Sequence, residues 1–202
     1  MALTSLLAPT VPATTGLPEL WILSIVKSGK FVDVPSAYSA MRVPAERAVV
    51  VSEYPLHFHR RTAENPVILG AYRDSMLWNA GLDHIAAQQP ADAIWDVLLL
   101  DPTAPLPLRH ADSLRHHMRT LDVWMAEPDL FDVIGPRAHQ TFFGNEPDRA
   151  HPSAVVVSGE MKVRFDPRVY DGADAWADYC RRTRYVGGSV LVSTTALREH
   201  VS

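Results

Sequence analysis

Apolar residues along the chain fall into short runs that alternate with stretches of helical period. Leu20-Trp21-Ile22-Leu23-Ser24-Ile25-Val26 is a β-rich run closed by the polar turn Lys27-Ser28-Gly29-Lys30. Ala48-Val49-Val50-Val51-Ser52 and Val67-Ile68-Leu69-Gly70 form the second and third runs, with a short helical segment expected near Pro35. Residues 75–88 place Met76, Leu77, Ala80, Ile85 and Ala86 at a helical period, with Gly81 the weak point of that helix. Then comes Val97-Leu98-Leu99-Leu100, the aliphatic content of a strand buried on both faces. It ends on Asp101 because Pro102 lacks a backbone donor and disfavours the α region for the residue before it.

A helix capped by Asp112 or Ser113 is expected to carry Leu114, Met118, Leu121, Val123 and Met125 as far as Pro128. Phe131-Asp132-Val133-Ile134 reads as a strand, 154–164 as an extended segment, 173–185 as a helix and 189–193 as a last strand. This alternation predicts a three-layer α/β domain whose mainly parallel sheet is covered by helices. In open sheets of that kind ligands bind outside the carboxyl ends of the strands, so Asp101 stands where metal or nucleotide chemistry would occur. A plain turn opened by Asp101 is the alternative.

Composition narrows the picture. A chain of 202 residues, 47% hydrophobic and 21% charged, can bury one sizeable core, so 19–202 is expected to form a single domain behind a mobile lead-in at 1–18. That lead-in has no Lys or Arg flank of a signal peptide, and no stretch of the chain has the apolar length of an integral membrane segment. A net charge of −4 supplies no global field for a polyanion, which leaves nucleic acid to a local patch. The one cysteine, Cys180, excludes an internal disulfide and fits a reducing, cytoplasmic setting.

Three separated segments share an order with a known family. Trp78-Asn79-Ala80-Gly81-Leu82 resembles an Arg-Asn-x-Gly-Leu helix, and Leu98-Leu99-Leu100-Asp101-Pro102-Thr103 is similar to a strand that ends in Asp-x-Asp or Asn-Pro-Asp-Thr. The third match runs from Val157-Ser158-Gly159-Glu160 through Phe165-Asp166-Pro167-Arg168 to Asp174, Asp178-Tyr179-Cys180-Arg181-Arg182 and His200. In this order and spacing the chain resembles the GT-A fold glycosyltransferases, in particular the inverting, rhamnosyltransferase-like family 2. It departs from their pattern at Thr103, where a second acid is usual, at Trp78 in place of Arg, and at Ala173 in place of Glu. Two extra residues also separate Asp174 from Asp178, and the chain ends at Ser202, short of the acceptor-side helices many relatives carry.

The resemblance implies transfer of a sugar from a nucleoside-diphosphate sugar, most simply a UDP-sugar, to a hydroxyl acceptor with inversion. It implies Asp174 as general base, near a helix start where the dipole favours the ionised form, with Asp178 one turn on as second choice. Lys27, Ser28, Glu53 and Asn79 would meet the donor nucleotide. Asp101 would face its diphosphate and, with His200, hold Mg²⁺ or Mn²⁺. Asn79 reads equally well as an amide capping a neighbouring turn, and Trp78 as a core aromatic. His57-Phe58-His59-Arg60-Arg61 suits phosphates of a polymeric acceptor or a solvated loop. His116 and His117 diverge on a helix and cannot grip one ion. Arg181, Arg182 and Arg184 suit either an acceptor face or a helix C-terminus. The acceptor itself, whether a glycan, a protein side chain or a modified DNA base, is open. Thr103 and Ala173 keep a catalytically impaired nucleotide-binding or assembly protein as the alternative; nucleotidyl transfer ranks last, since Ser28-Gly29-Lys30 is too short for a phosphate-cradling loop.

Overall fold

The computed structural model describes residues 16–26, 43–53, 67–69, 73–100, 108–122, 125–128, 154–169 and 173–193. Strands β1 (Glu19–Val26), β2 (Ala48–Ser52), β3 (Val67–Leu69), β4 (Trp95–Leu100), β5 (Met125–Pro128), β6 (Ala154–Ser158) and β7 (Val190–Ser193) join in one sheet of order β3-β2-β1-β4-β6-β5-β7. The pairings β1 with β2, β1 with β4, β2 with β3 and β5 with β7 are parallel; only β6 runs against its neighbours β4 and β5. The expectation of a mainly parallel sheet therefore holds, with one reversed strand near its far side. A 3₁₀ turn, Ala45–Arg47, leads into β2.

Among the described residues three helices cover the sheet: α1 (Asp74–Ala86), α2 (Leu108–Thr120) and α3 (Ala173–Tyr185). On one face, odd-numbered residues of β1 and β4 (Trp21, Leu23, Trp95, Val97, Leu99) share a core with Leu77, Trp78, Leu82 and Ile85 of α1 and Trp176, Tyr179 and Cys180 of α3. Successive strand side chains point to opposite faces, so Asp96 and Leu98 face the other way. There α2 packs across β5, β6 and β7, burying Ala111, Leu114, Arg115 and Met118 at helical spacing. Helices on both faces make the expected three layers.

Gly81, the expected weak point of α1, is where that helix rests on the sheet. A Cβ there would lie 2.2 Å from Leu23 Cδ1. Gly159 has the same role beyond β6, since its Cβ would lie 2.1 Å from the Trp95 ring. Helix α3 has the boundaries expected from the sequence and closes in a Schellman turn. In that turn the N–H groups of Gly187 and Gly188 donate to the carbonyls of Arg184 and Thr183, both at 2.9 Å, and Gly187 takes the positive φ of 93°.

One expectation is corrected. Helix α2 does not start at Asp112 and run to Met125; it spans Leu108–Thr120, and Met125–Pro128 is a strand. Asp122, at φ 53°, takes the left-handed conformation that ends a helix. The apolar Met125 beyond it is fully buried beside its partner Val157. At the start of the described chain the carbonyl of Pro18 accepts a hydrogen bond from Arg115; residues 1–15 of the expected lead-in lie outside the described residues. The strand expected at 131–134 and the helical segment near Pro35 lie outside the described residues.

That Arg115 contact belongs to a charged knot under α2. Asp96, with no exposed surface in the middle of the sheet, accepts from Arg115 Nε at 3.0 Å and from Arg119, one helical turn on. Arg119 also donates to Glu160 at 2.9 Å and to the Trp95 carbonyl at 3.2 Å. Burial works against the charge of Arg119, but Asp96 and Glu160 together outweigh it and raise its pKa. The same contact with Arg119 lowers the pKa of Glu160. Removing one member of a buried pair strands the other without its counter-charge, a loss of about 3–5 kcal/mol. Asp96→Asn is therefore expected to lower unfolding stability by about that amount in urea titrations; a change below about 1 kcal/mol would show that Arg115 and Arg119 find solvent without it.

Candidate functional site

Strands β1, β2 and β4 end side by side. Val26 pairs with Ser52, and Ser24 Oγ donates to the carbonyl of Leu100 at 2.7 Å. Glu53 follows β2 directly and is half-buried. The expected donor-site residues Lys27, Ser28 and Asp101 come next in the chain after Val26 and Leu100, and they lie outside the described residues, as does His200.

The direction of α3 follows from the sheet. Strand β6 opposes β4, β5 opposes β6, and β7 parallels β5, so β7 runs the same way as β4. A link of only four residues, 186–189, joins α3 to β7, which puts the C-terminus of α3 at the amino ends of the parallel strands. Its thirteen residues rise about 20 Å, the length of a six-residue strand such as β4. Asp174, exposed in the first turn of α3, therefore stands level with the strand ends that precede Lys27, Glu53 and Asp101.

Asp178 differs from Asp174 in kind. It is 6% exposed, and its carboxylate accepts from Arg182 Nε at 2.8 Å and from Arg181. Both oxygens are engaged in ion pairs, a geometry that suits an anchor for the helix face rather than a base that must reach an acceptor hydroxyl.

Asn79 likewise has both ends of its amide occupied. Its Nδ2 donates to the Phe165 carbonyl at 2.9 Å, and its Oδ1 accepts from the Phe165 N–H at 2.8 Å. This is the turn-capping alternative, made across 86 residues of sequence. Phe165 stacks on Tyr179 with centroids 4.0 Å apart and meets Trp176 edge-on at 5.0 Å, while Trp78 packs edge-on against Trp176 at 5.8 Å. Trp78, 4% exposed, is thus a core aromatic. Burial pushes the Tyr179 hydroxyl well above its ordinary pKa.

The residue after Phe165 continues the scaffold. Asp166 accepts from Arg168 Nε at 3.0 Å and Nη2 at 2.8 Å, from the Arg168 backbone N–H at 2.9 Å, and from Arg182. The Arg168 side chain first, then its backbone N–H and the charges of Arg168 and Arg182, hold the Asp166 carboxyl far below the usual carboxylate range. Arg182 thereby links Asp166 to Asp178. The sequence offered one sign of this role, an acid four residues before an arginine on one helix face; nothing local tied Arg182 to Asp166.

Among the described residues no group of three or more His, Cys, Asp or Glu is placed to hold a metal ion. No helix among them is long and apolar enough to cross a membrane. An open cavity of about 800 Å³ lies beside α3 and the 160–168 segment, away from Asp174.

This architecture is a glycosyltransferase-like fold of the GT-A type. No family model matches the chain, and no curated protein matches it in sequence. Among solved structures it is similar to the mannosyltransferase PcManGT from Pyrobaculum calidifontis, in complex with GDP-Man and Mn²⁺, at a TM-score of 0.59 and 11% identity, over 90% of this chain. The chain spans 56% of that protein's length.

Two measurements test the scaffold roles. Asn79→Ala leaves the Phe165 backbone unpaired and is expected to cost about 1–3 kcal/mol of unfolding stability in urea titrations; a change below about 0.5 kcal/mol would show that the amide does not hold this segment. For Asp166 the native pKa is depressed, so its contribution is present above the ordinary carboxylate pKa, about 4, and is lost as pH falls through the native value. Wild type should exceed Asp166→Asn in stability at neutral pH, and the difference should close in acid.

Proposed function

We propose that the protein transfers a sugar from a nucleoside-diphosphate sugar, a UDP-sugar in the simplest form, to a hydroxyl acceptor with inversion. The observation that carries this reading is the exposed Asp174 in the first turn of α3, level with the carboxyl ends of β1, β2 and β4. The likeness to a mannosyltransferase fold that holds GDP-Man and Mn²⁺ supports the donor class.

In this reading the acceptor oxygen attacks the anomeric carbon from the face opposite the diphosphate. The bond from that carbon to the diphosphate oxygen breaks, the electron pair leaves with the diphosphate, and the hydroxyl proton passes to the Asp174 carboxylate. One base and one displacement give inversion without a covalent intermediate. Lys27, Ser28 and Glu53 hold the nucleotide, each following directly or within two residues from the end of β1 or β2. Asp101, one residue past β4, faces the diphosphate, and with His200 it would ligate Mg²⁺ or Mn²⁺. Such an ion would neutralise charge on the leaving diphosphate. With Thr103 at the place of a second acid, Lys27 shares that task.

The second reading, a nucleotide-binding or assembly protein without turnover, is favoured by Thr103 and Ala173. A donor-hydrolysis screen over UDP-, GDP- and dTDP-sugars, with and without Mn²⁺, separates the two, because donor loss is visible without knowing the acceptor. The transferase is expected to hydrolyse one donor slowly, and Asp174→Asn to lower turnover by about 10²–10⁴-fold with UDP affinity in calorimetry nearly unchanged. Full turnover by that variant removes Asp174 as base, and absence of any nucleotide binding removes the reading itself.

A further inference from the structure

The cavity beside α3 is lined by four cations, Lys162, Arg164, Arg168 and Arg182, against two acids, Glu160 and Asp166. Its lining alone carries two more cations than acids, on a chain whose net charge is −4. Both acids are already paired within the fold, Glu160 with Arg119 and Asp166 with Arg168 and Arg182. Two of the cations also meet acids outside the lining, Arg164 with Asp83 at 2.7 Å and Arg182 with Asp178 at 2.8 Å, so the charge offered outward comes chiefly from Lys162 and Arg168. These pairs hold the arginines in place without exhausting them, since a guanidinium has five N–H donors and Arg168 gives two to Asp166. Lys162 and the guanidinium of Arg168 are exposed. At the rim stand Tyr185, 90% exposed, and Val186, 54% exposed, the flat apolar element of the site.

A volume of about 800 Å³ matches a small-molecule site. The combination selects a ligand with an apolar ring face for Tyr185 and an oxyanion for the arginine forks. The modest excess of cations over acids suits a single carboxylate or phosphate group better than the clustered charge of a diphosphate.

We propose that this cavity binds a sugar unit carrying a carboxylate or a phosphate, as an acceptor subsite separate from the donor site. Its role as an acceptor subsite rests on the transferase reading; its ligand class does not. Arg182 lies eight residues beyond Asp174 on α3, about 12 Å along the helix axis, and Tyr185 about 16 Å. An acceptor chain of several sugar units running down the helix would reach from Asp174 to the cavity.

Calorimetry of the full chain with trigalacturonate, glucose 6-phosphate, maltotriose, inorganic phosphate and UDP tests this. At least one of the two anionic sugars is expected to bind, which also identifies the anion, with affinity falling as salt rises. Lys162→Glu and Tyr185→Ala, both at exposed positions, should each weaken that binding by about tenfold and leave UDP binding unchanged. The proposal is overturned if neither anionic sugar binds, if both variants bind as wild type does, or if maltotriose or inorganic phosphate binds as tightly. Displacement of the sugar by UDP also overturns it. Binding of an anionic sugar that responds to both variants, in a protein that takes up no nucleotide, would sustain the ligand class and remove the transferase reading.

Discussion

The paired hydrogen bonds between the Asn79 amide and the backbone of Phe165 are the constraint on which the arrangement of the site depends. Residues 159–169 cross from β6 to α3 without a β-ladder of their own, so their backbone groups must find partners elsewhere. Asn79 supplies a donor and an acceptor in one rigid group and fixes Phe165 between Trp176 and Tyr179. Asp166 is then delivered to Arg182, and Arg182 to Asp178. Helix α1, the crossing segment and α3 become one unit, which holds α3 at the height that its short link to β7 sets.

The opposite face is held by different physics. Asp96 sits unexposed in a strand whose other residues are apolar, and two arginines one helical turn apart on α2 meet it. Such a buried pair gains little net stability over a well-packed apolar one, because desolvation offsets the attraction. What it does supply is position: only one rotation and one height of α2 bring both Arg115 and Arg119 to a single carboxylate. Glu160 and the Pro18 carbonyl join the same knot, so it also ties the start of β1 and the turn after β6 to the amino ends of the strands.

Much of this fold was legible because burial on both faces leaves unmistakable aliphatic runs, and β1, β2 and β4 fall on them. Helix α3 was legible to the residue, since Ala173 opens a clear period and Gly187 closes it. Helix α2 was not, because Leu121, Val123 and Met125 continue a plausible helical pattern; the left-handed turn at Asp122 and the pairing of Met125 with Val157 are decided in three dimensions. Nothing local to Asp96 announces the two arginines, about twenty residues on, that meet it. For the site, Asp174 and Asp178 stood out through family resemblance and the pairing of Asp178 with Arg181 or Arg182 through helical spacing, whereas the tie from Arg182 to Asp166 had no local sign. Whether an acid is a reagent or an anchor depends on which cations reach it, and those lie 3 to 16 residues away or on other elements.

That distinction divides the residues that carry the resemblance. A side chain whose polar atoms already meet fixed partners cannot exchange a proton or follow a substrate without breaking the fold. Asn79, Asp166 and Asp178 are all in this state, and between them they hold α1, the 159–169 segment and α3 together. Asp174 is the acid of α3 that remains exposed, one turn above the anchored Asp178. Its exposure and its place in the first turn of a helix pinned by its second turn set it apart from the acid below it.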